Sequence, residues 1–464
     1  MIPAPVTRPF AAWLIVVPLL AGCTVFQPTR VDDPAVLPPG LAGEDKVSAL
    51  RAELPTAPLT IERALDIALA NNPDIIAGAW DVEAAWARKR YASSEHWPTL
   101  GVNAAYRHHW HEERLVPARG QATPASFSHG IFAGDVVLTV PLLSGGRVVS
   151  AVAAADLMAR AADQKLARTR EELIFNVKST FYAILGQDKL IEAIEHSRKA
   201  LTEHRRKTMQ LIEARKAARV DLLNIEVRLA DLNHLLVKQR GKVDLHKRLL
   251  LSLLGFEAAP SGGLTLEGDL APKRSLPEEE KLVAAAVEAR ADVSRLDLEI
   301  RAQAKRIDMV RAEYWPVVSA KGTYGSRLSI EGEYDDLGFV GLELAVPVFT
   351  GLRTPARVEE EQAKLRILQH RKRKLILNVR REIDSAFIQV KTALAAVEAT
   401  EKSIAMAEES LRITRDKAAL GHGTATDVLD AQAALLQAET NYFAALADLH
   451  TALALLELAA GGES

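Results

Sequence analysis

The sequence predicts a mainly α-helical chain that carries a small membrane β-part and is written twice in tandem. Three observations predict it: phrases that recur at fixed offsets, four short segments of strict alternation, and two proline-free runs over 148–254 and 356–460. Each fixes one element of the fold.

The repeat comes first, because a missed internal repeat misassigns everything built on it. Glu95–Tyr106 reads EHWPTLGVNAAY and Glu313–Tyr324 reads EYWPVVSAKGTY, so Glu, Trp, Pro and the closing Tyr return 218 positions later. Asp74 in NNPDI and Asp292 in EARADV keep that offset of 218. Further on, Pro141 in TVPLLSGGR and Pro347 in AVPVFTGLR stand 206 apart, as do Phe181 and Phe387, Asp221 and Asp427, and Gly255 and Gly461. The fall from 218 to 206 gives the first copy a loop twelve residues longer between Trp-Pro and Val-Pro. The expected layout is a first copy over 59–255, a linker over 256–275 and a second copy over 276–461.

The alternating segments follow each Trp-Pro. Leu100, Val102, Ala104, Tyr106 and Trp110 fall on one face, and Thr99, Gly101, Asn103, Arg107 and His109 on the other. The return segment and the second copy repeat the pattern, which gives strands at about 97–110, 129–141, 315–327 and 338–347. Period-two alternation with one polar face is the pattern of a strand between lipid and a wet lumen, and also of an ordinary half-solvated hairpin. Trp97-Pro98 and Trp315-Pro316 fit a membrane seam. Proline disfavours helix at the residue before it and tolerates the first position of a strand, while Trp favours a bilayer interface. Pro141 and Pro347 mark the same level on the return. Four strands do not close a barrel, and lipid forbids an open sheet edge, so membrane strands here require several copies to pool into one ring.

The two long runs are dense in Ala, Leu, Glu, Lys and Arg, strong helix formers, and each breaks once, near Asp221 or Asp427. At 1.5 Å per residue an arm of about 65 residues is roughly 100 Å long. Arms of that length with short connections mean antiparallel coiled coils.

The N-terminus reads differently. An apolar run, FAAWLIVVPLL, ends in LAGC at Cys23, too short to span a bilayer. Leu20–Cys23 resembles the lipobox of bacterial lipoproteins, which implies a signal peptide over 1–22, a covalent lipid on Cys23 and an extended lead over 23–58. Thr24 in place of Asp after the cysteine implies outer-membrane delivery. Cys23 is the one cysteine of the chain, which excludes an internal disulfide or thiolate metal site. Lys plus Arg total 58 against 60 for Asp plus Glu, so no basic field draws nucleic acid.

Together these residues resemble the outer-membrane efflux protein family, the TolC-like exit ducts. Ala419–Gly461 carries its Gly-Thr…Asp-Val-Leu-Asp-Ala pattern and Leu-rich close, and the Trp-Pro and Val-Pro phrases match as well. With the lipobox, the chain is similar to the lipid-anchored members that serve resistance-nodulation-division pumps. The resemblance implies a homotrimer in the outer membrane of a Gram-negative bacterium. Its twelve-stranded β-barrel would continue as a periplasmic α-helical barrel, with a periplasmic adaptor (membrane fusion protein) and an inner-membrane pump as partners. It places adaptor-docking tips at Leu420, Gly421, His422 and Gly423, with Ala214, Arg215 and Lys216 as the non-equivalent first-copy counterpart. Candidate gate residues are Asp416 and Asp427.

No cofactor beyond the lipid is expected, and no H-E-x-x-H, P-loop or G-x-S-x-G is present, so the chain is expected not to be an enzyme. RHHWHEER (Arg107–Arg114) gathers histidines, and His109, His111 and His129 are weak metal candidates against the reading of a polar extracellular loop. The competing function is a lipid-tethered periplasmic coiled-coil scaffold or adaptor without a barrel.

Overall fold

The computed structural model describes residues 58–117, 126–215, 218–256, 264–272, 279–420 and 422–462. Cys23, the signal segment and the lead through residue 57 lie outside them, as do Lys216 and Gly421. Among the described residues the elements run α1 (Ile61–Asn71), α2 (Pro73–Ser94), β1 (Thr99–Arg114), β2 (Phe127–Leu143), α3 (Arg147–Glu213) and α4 (Arg219–Leu253). The second series runs α5 (Glu279–Ala289), α6 (Ala291–Arg311), β3 (Val317–Ser329), β4 (Tyr334–Ala345), α7 (Arg353–Ala419) and α8 (Ala425–Ala460).

The offsets survive in three dimensions. Pro73 and Ala291 open α2 and α6, 218 apart, while Arg147 and Arg353 open α3 and α7, 206 apart and 67 residues long each. Local chemistry sets the boundaries. Thr60 caps α1 by accepting from the Arg63 N–H at 3.4 Å, and Asn72 caps α2 by accepting from the Asp74 N–H at 2.9 Å, with Pro73 at the first helical position. α4 and α8 end on Gly255 (φ 83°) and Gly461 (φ 101°), left-handed positions that favour glycine.

In the half nearer the sheet, α3 packs against both α2 and α6, and α6 against α7. In the far half, α3 packs against α4 and α8, and α8 against α7. Each half is therefore an open arc of four helical arms. The main core sits where the arcs meet, around Val177, Phe181, Ile184, Val379, Ile383, Val390 and Leu449, all fully buried. There Gly186 lets α3 approach α8 closely: a Cβ on it would stand 2.8 Å from that of Ala447.

The linker is more structured than a plain connector. Leu59 donates to the Thr265 carbonyl (2.8 Å) and accepts from the Glu267 N–H (3.0 Å), and Leu264 and Leu270 are buried in the core. Burial of these leucines draws part of the linker into the fold.

Candidate functional site

The sheet is built as β1-β2-β3-β4, each pair antiparallel. Its register sorts the side chains into two faces. One rung joins Leu100, Leu138, Gly322 and Val340, another Val102, Val136, Tyr324 and Gly338, and a third Tyr106, Phe132, Leu328 and Tyr334. The rungs between them carry the other face: Thr99, Thr139, Lys321 and Gly341, or Ala105, Ala133, Arg327 and Asp335. Successive residues of a strand point to opposite sides, so the first set forms one apolar belt. Leu100, Val102, Leu138, Val340, Leu342 and Leu344 are all exposed in the single chain. Leu100 to Trp110 spans roughly 25 Å of depth for strands tilted about 40°, the height of a lipid-facing band.

The polar face carries an ion pair. Arg327 of β3 donates to both Asp135 oxygens of β2, at 2.9 and 3.2 Å. Gly325 makes the space, because a Cβ there would collide with the Asp135 carboxylate. Sequence alone showed these residues only as scattered polar positions; a glycine of polar-face parity beside a charged strand partner was the available signal.

At the seam, Pro98 and Pro316 each stand one residue before a strand, and Trp97 and Trp315 just before them are 71% and 64% exposed. β1 runs on to Arg114, past the expected end near residue 110. Pro141 lies within β2 opposite Ser319, where a register shift follows, and Pro347 lies beyond the end of β4. A bulge is how a ladder accommodates a residue without an N–H. Ion pairs clamp the helix ends to the seam: Glu95 with Arg147 at 2.9 Å, and Glu313 with Arg357. The β2–α3 turn packs against the second copy, since a Cβ on Gly145 would stand 2.6 Å from that of Trp315.

The helical tips lie at the opposite end. Leu420 is exposed, and the His422 N–H reaches the Lys417 carbonyl at 2.9 Å. Gly423 packs on the chain's own backbone: an added Cβ would come within 3.1 Å of the Ala418 nitrogen. Arg215, matching Gly421 at an offset of 206, adopts φ 55°. Asp416 pairs with Arg412 at 3.2 Å. Asp427 closes a capping box, accepting from the Thr424 N–H at 2.9 Å while its own N–H donates to Thr424 Oγ1 at 3.1 Å. The bond from the Thr424 backbone holds the Asp427 carboxyl below its ordinary value.

The histidines do not converge. His129 Nδ1 lies 3.3 Å from the His109 carbonyl oxygen rather than its ring, the His129 ring stacks on His108 with centroids 6.3 Å apart, and His111 is exposed. Among the described residues no group of three or more His, Cys, Asp or Glu is gathered to hold a metal ion.

The sequence matches the outer membrane efflux protein family over residues 64–255 and 282–462, one stretch for each copy. The chain belongs to that family. Among relatives of this outer membrane efflux protein, OprJ of Pseudomonas aeruginosa is 26% identical over 423 residues, covering 85% of this chain and 83% of OprJ. The proteases secretion protein PrtF of Dickeya chrysanthemi is 25% identical over 292 residues, 58% of this chain, and the chain spans only 60% of PrtF. The crystal structure of the outer membrane protein VceC from Vibrio cholerae shares the fold, with a TM-score of 0.72 at 18% identity, covering 87% of this chain and 96% of VceC.

Proposed function

We propose that three copies of this chain close into a passive duct that carries solutes from the periplasm across the outer membrane. One relationship between the two halves supports this most. Gly145 packs on Trp315, whereas a Cβ on its counterpart Gly351 meets nothing within 4 Å, so the matching Trp97 of the same chain does not pack there. The contact made once within the chain is thus left open at both ends of it, in complementary form. Gly241 repeats the lesson. It matches Ala447, the residue that Gly186 approaches, yet nothing lies within 4 Å of it on α4. Heterologous contacts of this kind generate rings when the rotation closes. Three four-stranded sheets would supply a twelve-stranded barrel, whose outer face would be the apolar belt.

The same reading removes residues 1–22, lipidates Cys23, and sets the helical tips against a periplasmic adaptor that links to an inner-membrane pump. The channel itself does no chemistry in this account. A tethered scaffold has no use for an outward apolar belt flanked by Trp and Tyr.

Fractionation of a Cys23→Ala form tests it. A duct stays in the outer membrane and leaves only with detergent, and the purified protein gives discrete conductance steps in planar bilayers. Release by salt wash, or a folded protein without conductance, favours the scaffold.

A further inference from the structure

The polar face of the sheet holds one complete ion pair and, at its two edges, a cation and an anion that have no counter-ion. Asp135 of β2 and Arg327 of β3 form the complete pair, with side chains 20% and 17% exposed. Asp135 stands opposite Gly325, so its bond runs diagonally, to the residue two positions beyond its opposite number. Arg107 of β1 and Glu343 of β4 lie on the same face, are exposed, and make no ion pair or side-chain hydrogen bond among the described residues. They stand on the two strands that bound the sheet, each with one open edge.

The repeat offsets state which residues meet when those edges pair. Moving β1 forward by 218 and β2 by 206 carries Leu100 opposite Leu138 onto Val318 opposite Leu344, the register observed between β3 and β4. Moving β2 forward by 206 and β3 back by 218 sets β4 of one copy against β1 of the next. Val137 opposite Thr323 then becomes Glu343 opposite Ala105, and two positions further along β1 is Arg107. Glu343 and Arg107 of the next copy thus stand in the diagonal relation that Asp135 and Arg327 occupy within the chain, one rung nearer the helices. Diagonal neighbours lie about 7–8 Å apart, within reach of long side chains. The opposite residue fits as well. Asp135 leaves no room for a Cβ opposite it, whereas Glu343 carries its carboxylate one methylene further, past the Ala105 methyl.

We propose that Glu343 of each copy and Arg107 of the next form an ion pair across every β4–β1 junction, and that this pair holds the register in which the barrel closes. The inference rests on the duct reading and names a polar contact that makes the junction specific. Apolar burial is non-directional and discriminates weakly between registers two residues apart. A slip that sets Glu343 opposite Asn103 carries Arg107 out of its reach. Opposite charges across an interface fix register, and like charges there are destabilising.

The test uses the full-length lipidated protein extracted in detergent, with the temperature at which the ring dissociates read on gels. Arg107→Glu and Glu343→Arg each set like charges at the junction and should lower that temperature by about 5–10 °C. Combining them restores opposite charges and should recover most of the loss. Neutral variants cover the case in which the reversed forms do not assemble. Arg107→Gln and Glu343→Gln should each lower the temperature, and the two together no further than either alone. Lys321→Gln is the control: Lys321 is a diagonal neighbour of Glu343 within its own chain, makes no ion pair with it, and should be replaceable without loss. Failure of the duct reading shows separately, as a wild type that is monomeric and does not conduct. Additive losses in the neutral pair, or a loss in Lys321→Gln equal to that in Arg107→Gln, would overturn the proposal. So would reversed single variants that assemble while the combined one is no more stable than either.

Discussion

Asn72 and Arg290 occupy matching positions, 218 apart, and make the same contact to matching carbonyls 206 apart: Asn72 Nδ2 donates to Leu253 O at 3.0 Å, and Arg290 Nη1 donates to Ala459 O at 3.1 Å. Each bond ties the end of a copy's last helix to the break between its first two. The closing glycines match as well, with Gly255 packed on the Asn71 backbone and Gly461 on the backbone of Ala289 and Arg290.

Arg290 does more than Asn72. It is 2% exposed, grips Asp292 at 2.7 and 3.1 Å, and reaches Glu382 on α7 at 2.9 Å. Burial alone would raise the Asp292 carboxyl, but Arg290 outweighs it and leaves the group below its ordinary value. Arg290→Met should destabilise the helical domain by about 3 kcal/mol, because it strands a partly buried carboxylate. Arg290→Asn should cost less. Amide exchange at the C-terminus of α8 reads both, and equal protection in Arg290→Met and wild type would refute the clamp.

The two faces of the sheet differ in what they tolerate. Leu138 lies in the apolar belt and Val137 on the polar face, one residue apart in β2. Leu138→Arg should cost roughly 2–4 kcal/mol of barrel stability near mid-membrane, and Val137→Arg much less. Heat-induced loss of the folded band in detergent gels compares them. Equal shifts would contradict the assignment of faces.

His204 of α3 has a buried Nε2 without a hydrogen-bond partner among the described residues. Burial, then Lys207 on its own helix and Arg415 on α7, lower its pKa, against a smaller opposing effect from Asp221 on α4. The folded tip therefore favours neutral imidazole, whereas an opened tip takes up a proton near the ordinary 6.5. Tip stability is full above that pH and falls as pH drops below it. The opening constant at the end of α3, taken from amide exchange corrected for the intrinsic exchange rate at each pH, should rise between pH 7 and 5, and His204→Gln should flatten the rise. A slope unchanged in the variant would assign the effect elsewhere.

Much of this was legible in the residues. The offsets of 218 and 206 became paired helix starts, and the alternation became a register in which, between the two register shifts, even-numbered positions of all four strands share a face. Those features are periodic and local. The Arg290 clamp was not legible, because Glu382 and Ala459 are 92 and 169 residues distant and only packing brings them together. The buried part of the linker escaped for a related reason: its partner Leu59 lies at the far end of the first copy. Pro141 marks an irregularity inside β2 because the ladder bulges around it.

The ring is tested most directly by a disulfide between copies. Within the chain Leu138 stands opposite Gly322; advancing the first by 206 and setting back the second by 218 puts Leu344 of one copy opposite Ala104 of the next. Cysteines at 344 and 104 fall within bridging distance only if β4 and β1 pair in that register. Oxidation should yield a covalent trimer, while cysteines at 344 and 100 should not cross-link. A product that stays monomeric, or equal cross-linking by both pairs, would contradict the closed ring.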